Sequence, residues 1–145
     1  MIPKETVILS STDTTVGFLS QSAERLNRIK KRPIDKPYII ALPSLRMLQE
    51  RVRIPKAHKK RLRNSQRQSF IFPDGRSYRI VRDPRHLLLL GRLGWAYTTS
   101  ANPAGKAYDP VFATLTADII VEPLYFRHPP SRIYRLGKKK IRRIR

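Results

Sequence analysis

The sequence has no cysteine. That excludes disulfides, a thiol nucleophile, an iron–sulfur cluster and a Cys-based zinc site. Histidine is scarce as well. His58, His86 and His128 are scattered without metal-ligand spacing, so no metal site of the protein's own is expected. Acidic side chains number only 10 in 145 residues. No apolar run approaches the roughly 20 residues of a membrane span. The opening MIPKETVILSS lacks the charged start and long apolar core of a secretory signal. A cytoplasmic protein with no membrane partner is the expectation. The chain also lacks a Walker A loop, GxGxxG, HExxH and a GxSxG elbow.

Basic residues are abundant. Lys and Arg total 31, which sets the net charge at +21. Self-repulsion at that density opposes compaction unless counter-anions gather, and polyphosphate is the natural one. The hydrophobic share of 40% favours a globular chain, and the length fits one domain. The basic residues cluster between Arg46 and Arg67 and in the tail GKKKIRRIR. Few aromatics interleave these runs, which argues against a single-strand stacking platform and for shape-led binding of structured RNA. Either run also suits a plain solvated face. The domain is read as 1–136, with 137–145 as a basic C-terminal tail.

Element signals alternate along the chain. Val7 to Ser10 reads as a buried strand entering a Ser/Thr-rich turn, STDTTVGF. Ser20 or Ser22 suits an N-cap for a helix through Ala23, Leu26 and Ile29, stopped by Pro33. Pro37 to Leu42 reads as a second buried strand, and Ser44 caps a helix through Leu48 and Val52. A helix is expected after Pro55. Pro73-Asp74-Gly75 joins two strands, 68–72 and 76–82, into a hairpin. Asp83-Pro84 opens another helix that ends near Gly91 or Gly94. Trp95 to Thr99 reads as a strand, followed by a short helix near Phe112 and strands at 118–121, Ile133 and Ile141. Alternating strands and helices predict an α/β domain: one twisted mixed sheet with flanking helices.

Three stretches carry candidate chemistry. Lys30 and Arg32 sit two apart before Pro33, where an extended turn puts both cations on one side. Such a pair suits the charge on a departing pyrophosphate, with Arg gripping phosphate bidentately and Lys acting as a point charge. It equally suits a solvated helix end beside its own dipole. Thr12, Thr14 and Thr15 offer short hydroxyls at a strand end, for a small polar substrate or for their own turn. Ser100 and Asn102 lie in a loop ended by Gly105, fit either for phosphate contact or for capping the loop itself.

In order along the chain, these stretches resemble one family. Ser11-Thr12-Asp13-Thr14-Thr15-Val16-Gly17-Phe18 resembles the P-T-[DE]-T-x-Y-G-L loop of YrdC-like threonylcarbamoyl-adenylate synthases. Ile29 to Pro37 resembles their K-x-R-P-x-x-K-P signature, and Thr98 to Gly105 resembles S-T-S-A-N-x-S-G. Weaker echoes are Tyr78-Arg79-Ile80 for V-R-V and Pro130-Ser131-Arg132-Ile133 for P-S-T-I. Val16 stands in place of the usual Tyr, Ala104 in place of the last Ser, and Asn64 to Ser69 in place of a P-G-P-x-T loop.

The resemblance implies a YrdC-like fold and an enzyme joining L-threonine, bicarbonate and ATP into threonylcarbamoyl-adenylate for tRNA modification. It implies Lys30 and Arg32 as catalytic and nucleotide-binding, with Ser100 and Asn102 also on the nucleotide. Thr12, Thr14, Arg79 and Thr99 would then face threonine and bicarbonate. Mg²⁺ would ride on the ATP phosphates, with Asp13 a further candidate to hold it. Partner proteins would take the adenylate onward. A second reading keeps the fold and makes the chain a catalytically reduced relative that binds structured RNA.

Overall fold

The structure is a computed structural model, and it describes residues 2–32, 37–124 and 128–145. The described residues form a nine-stranded mixed sheet in the order β7-β1-β2-β6-β3-β5-β4-β8-β9. Its strands are β1 (Ile8–Ser11), β2 (Val16–Ser20), β3 (Ile39–Leu42), β4 (Gln68–Ile71), β5 (Ser77–Ile80), β6 (Ala96–Ser100), β7 (Ile119–Ile120), β8 (Arg132–Leu136) and β9 (Ile141–Arg143). Five helices flank it: α1 (Ala23–Lys30), α2 (Leu45–Arg51), α3 (Lys59–Arg63), α4 (Pro84–Leu93) and α5 (Pro110–Thr116). The expected α/β single-sheet architecture is therefore what the chain adopts.

Period-2 alternation sorts the side chains between two faces. The register links Phe18 to Thr99, Tyr97 to Ile40, Ile40 to Tyr78, Tyr78 to Phe70 and Phe70 to Tyr134 across the sheet. This face is apolar. Leu48 of α2, Ile54 and Leu62 of α3 pack on Leu42, Phe70, Tyr78 and Ile80. Leu26 of α1 and Ala113 of α5 pack on Leu9, Val16 and Phe18. On the opposite face α4 covers only one part, where Leu90 meets Ile8, Leu19, Ala41 and Ala96. The remainder of that face carries Ser69, Ser77, Arg79 and Thr98, and among the described residues no helix packs over it. Leaving a patch of sheet uncovered is what creates room for a site.

The caps follow the sequence signals. The Ser22, Ser44 and Asp83 side chains accept from Arg25, Met47 and His86 backbone N–H groups at their helix starts. α1 stops at Lys31, whose φ of 50° is left-handed and whose N–H returns to Asn27 O. Pro33, the expected stop, lies outside the described residues. The helix expected after Pro55 is a three-residue 3₁₀ turn followed by the short α3. The stretch read as a plain Ser/Thr turn contains β2, which pairs with both β1 and β6. Residues 137–145, set apart as a tail in the sequence, bring β9 against β8 as the edge strand.

Gly17 shows why a Gly-interrupted V-G-F-L-S run can be a central strand. A Cβ there would lie 2.9 Å from Thr99 O and 3.3 Å from Thr12 Cγ2. Glycine lets β2 and β6 approach. Gly17→Ala is expected to destabilise the chain by about 1–3 kcal/mol through overpacking, read as a lower thermal midpoint.

Candidate active site

The uncovered part of the sheet is the floor of a cavity of about 660 Å³. The end of α1 and the loop after β6 form its rim, and β8 with the C-terminal residue forms its far wall. Among the described residues five cations line it: Lys30, Lys31, Arg32, Arg79 and Arg145. No Asp or Glu among the described residues does. Its size falls within the usual range for small-molecule sites, about 300–1,000 Å³.

Lys30 joins the rim to α1. Its ammonium donates to Ser100 O at 2.9 Å and Asn102 O at 2.6 Å. An ammonium carries three protons, so one remains without a partner among the described residues. Burial, and then the charge of Arg32, push the Lys30 ammonium down to a pKa of about 8. Arg32 donates to Pro37 O at 3.1 Å, and its guanidinium lies 4.5 Å from the Tyr38 ring centroid. Its buried Nε has no hydrogen-bond partner among the described residues. Both cations are thus anchored through carbonyls and a ring, and among the described residues neither is in an ion pair.

The loop after β6 holds itself. The Asn102 carboxamide donates to Pro103 O at 3.0 Å and Lys106 O at 2.8 Å. Gly105, at φ 71°, permits the turn. Asn102 therefore shapes the loop with its side chain and receives Lys30 with its carbonyl. Ser100 is exposed at the rim.

The threonines divide. Thr14, Thr15, Thr98 and Thr99 line the cavity. Thr12, expected there too, does not. Its hydroxyl donates to Thr15 O at 2.6 Å and accepts from Thr14 N–H at 3.1 Å. A turn that must close between β1 and β2 consumes that hydroxyl, and the residue borders a different groove.

Arg79 lies in the floor, buried to 4% exposure, with its Nε 3.3 Å from Asp13 Oδ1. Burial pushes its guanidinium downward, and the Asp13 charge acts against that. Burial alone would raise the Asp13 carboxyl. The nearby His86 ring, its Nδ1 3.7 Å from Asp13 Oδ1, and the Arg79 charge outweigh it, leaving Asp13 below the usual carboxylate value. Asp13 faces Arg79 and His86 and does not line the cavity, so it is not placed to hold a phosphate-bound Mg²⁺. Among the described residues no cluster of three His, Asp or Glu side chains is placed to hold a metal.

From Arg79 a polar chain crosses the floor. Arg79 donates to Ser69 Oγ at 3.4 Å, and Ser69 and Ser131 hydroxyls meet at 2.8 Å. Arg145 donates to Ser131 O through Nε and Nη2, at 3.0 and 2.8 Å. Arg145 is the residue that sequence reasoning misses. Burial and then the Arg79 charge lower its guanidinium. Its one sequence signal is indirect. Ile141 and Ile144 interrupt a charged run as apolar anchors on the sheet, and backbone hydrogen bonds between Ile133 and residues 144–145 bring Arg145 back along β8.

No protein-family model matches the chain. The uncharacterized protein MG259 homolog of Mycoplasma pneumoniae is 32% identical over 151 residues, covering 97% of this chain and 32% of that protein. The chain thus spans about a third of that curated relative. P. abyssi Sua5, solved in complex with L-threonine, superposes with a TM-score of 0.85 at 18% identity. The match covers 97% of this chain and 50% of Sua5. E. coli YciO superposes at 0.78 with 18% identity, over 97% of this chain and 82% of YciO. The architecture is a YrdC-like fold. Within it, this chain has the fold of Sua5 and YciO, as the motif resemblance implies. Among the described residues no helix is long and apolar enough to cross a membrane.

Proposed function

We propose that the chain is a threonylcarbamoyl-adenylate synthase-like, cytoplasmic enzyme serving tRNA threonylcarbamoyladenosine formation. The observation that carries this reading is the cavity: among its described lining residues five cations and no Asp or Glu, around hydroxyl-bearing walls, in the fold of a protein solved with L-threonine. Polyanion neutralisation at one end and hydrogen bonding of a small polar molecule at the other are both served.

In the reaction, L-threonine and bicarbonate first give N-carboxy-threonine with loss of water. A carboxylate oxygen of that carbamate then attacks the α-phosphorus of ATP. The new P–O bond forms as the bond to the β-phosphate oxygen breaks, and pyrophosphate leaves with the electron pair. Lys30 and Arg32 hold the charge that builds on the leaving group. Ser100 and Asn102 position the nucleotide, Asn102 by shaping the rim. Thr14 and Thr98 hydrogen-bond the threonine–carbonate end; Thr99, expected in that role, borders the cavity but its side chain shares the opposite face of the sheet with Phe18. Arg79, seated in the floor, and Arg145 supply positive potential toward a substrate carboxylate. Mg²⁺ bound to the ATP phosphates would lower the charge on the leaving group, held by substrate rather than by a protein cage. The adenylate would pass to proteins that modify tRNA.

The test is release of pyrophosphate from ATP by the purified chain. Release that requires both L-threonine and bicarbonate is the expected result. No release even with both present, while the chain binds RNA in a salt-sensitive way, selects the reduced RNA-binding relative. The meeting of the two basic runs along one groove is the observation that favours that second reading.

A further inference from the structure

The two basic runs, separate in the sequence, meet in space. The segment after α2 and the β8–β9 turn form opposite walls of an open groove of about 1520 Å³. His58 fastens them, its buried Nε2 lying 2.9 Å from Gly137 O. Arg53, Lys56 and Lys59 line one wall, and Lys138 and Lys139 line the other. Among the described residues none of these five takes part in an ion pair, and all five are exposed. Among the described residues Asp74 is the single carboxylate on the groove. Groove and cavity share no lining residue. The segment after α2 packs on the apolar face of the sheet, and the cavity opens on the other.

We propose that this groove is a second, separate site that clamps the sugar–phosphate backbone of an RNA helix. The proposal goes beyond the synthase reading and does not rest on it. Five unpaired cations on two walls fit the two lines of phosphates that border a duplex groove. Among the described residues no aromatic side chain lines the groove, so these walls offer no platform for unstacked bases. The neighbouring arginines that do meet rings are engaged elsewhere: Arg51 over Trp95 and Arg61 over Tyr134. The walls are loop and short helical turns, with nothing long enough to enter the major groove of B-DNA. Gln49 and Asp74 add hydrogen-bonding groups among the cations. A carboxylate repels phosphate but accepts from a ribose 2′-hydroxyl, which DNA lacks.

The experiment titrates the full chain into a fluorescent RNA duplex of about 16 base pairs across a salt series. The parent is compared with Lys56→Ala/Lys138→Ala/Lys139→Ala and with Lys4→Ala/Arg28→Ala/Arg92→Ala. The second triple removes equal charge from surfaces outside the groove. Deleting one phosphate-bound cation should reduce the salt slope by about 0.9 and affinity at about 0.15 M salt by about fivefold. The groove triple is therefore expected to bind about a hundredfold more weakly with a slope smaller by about 3. The control triple should bind within a few-fold of the parent. Equal losses in both triples overturn the proposal, because net charge alone would then explain binding. Equal affinity for single-stranded RNA, for DNA of the same sequence or for polyglutamate overturns it as well. Thermal melting verifies that each triple is folded. Threonine-dependent pyrophosphate release in the groove triple should equal the parent's, so failure of the synthase reading leaves this result standing.

Discussion

Asp13→Ala is expected to destabilise the chain by about 3–5 kcal/mol, the usual consequence of stripping one partner from a buried ion pair. Arg79 is buried in the floor of a cavity that already holds four other cations. With Asp13 gone, its charge faces Arg145 and the α1 terminus with nothing to offset it. Replacing both partners should be milder. Asp13→Ala/Arg79→Met removes the charges together and leaves a methionine to fill the space. The measurement is a double-mutant cycle by denaturant unfolding. The double variant is expected to be more stable than Asp13→Ala alone. If the two single losses simply add, the pair is not coupled and the floor is held some other way.

The same pair fixes the response to acid. The folded-state pKa of Asp13 lies below its unfolded value of 3.8. Its contribution is therefore fully present above the unfolded pKa and is lost as pH falls through the folded one. Unfolding midpoints of the parent should fall steeply in that acid range. Those of Asp13→Ala/Arg79→Met should fall less.

Most of this architecture is legible in the sequence because its signals are local. Ser22, Ser44 and Asp83 cap helices where a Ser or Asp precedes an apolar-periodic run. Pro73-Asp74-Gly75 marks its hairpin for a similar reason, since the turn needs Gly75 at φ 87°. β2 is not legible that way. Its five buried residues straddle a glycine, and only the closeness of β6 explains that glycine. The cavity is legible in part. Lys30 and Asn102 share a rim, as expected of K-x-R and S-A-N as parts of one pattern. The role of Asn102 within its loop is not legible, because its partners Pro103 O and Lys106 O are set by the turn. Asp13 misleads for a physical reason. An acid beside threonines at a strand end suits a cation, and no local signal shows that Arg79, distant in sequence, is that cation. Arg145 depends on β9 pairing with β8, a tertiary event.

Lys30→Ala and Arg32→Ala are each expected to lower threonine-dependent pyrophosphate release by about 10²–10³-fold, the scale set by deleting one fixed donor from a developing anion. Retention of parental rates by either variant removes it from the leaving-group role. The two should differ in kind. Lys30→Ala also frees the rim, because both hydrogen bonds to the Ser100 and Asn102 carbonyls disappear, so KM for ATP should rise along with the fall in kcat. Arg32→Ala leaves those bonds intact, so its effect should fall mainly on kcat. The pH profile gives an independent check. kcat/KM reports the free enzyme, in which Lys30 titrates at about 8. Activity should therefore decline about tenfold per unit above that pH, as the ammonium that meets the leaving group disappears. Stability runs the other way. Between about 8 and the ordinary lysine value of 10.5 the unfolded chain binds more protons than the folded one, so stability rises with pH there. Burial depresses Lys30 first and the Arg32 charge second. In Arg32→Ala the second cause is gone, and the alkaline limb of the residual activity should move to higher pH. An unmoved limb would mean that the two cations do not share one field, and that another group sets the profile.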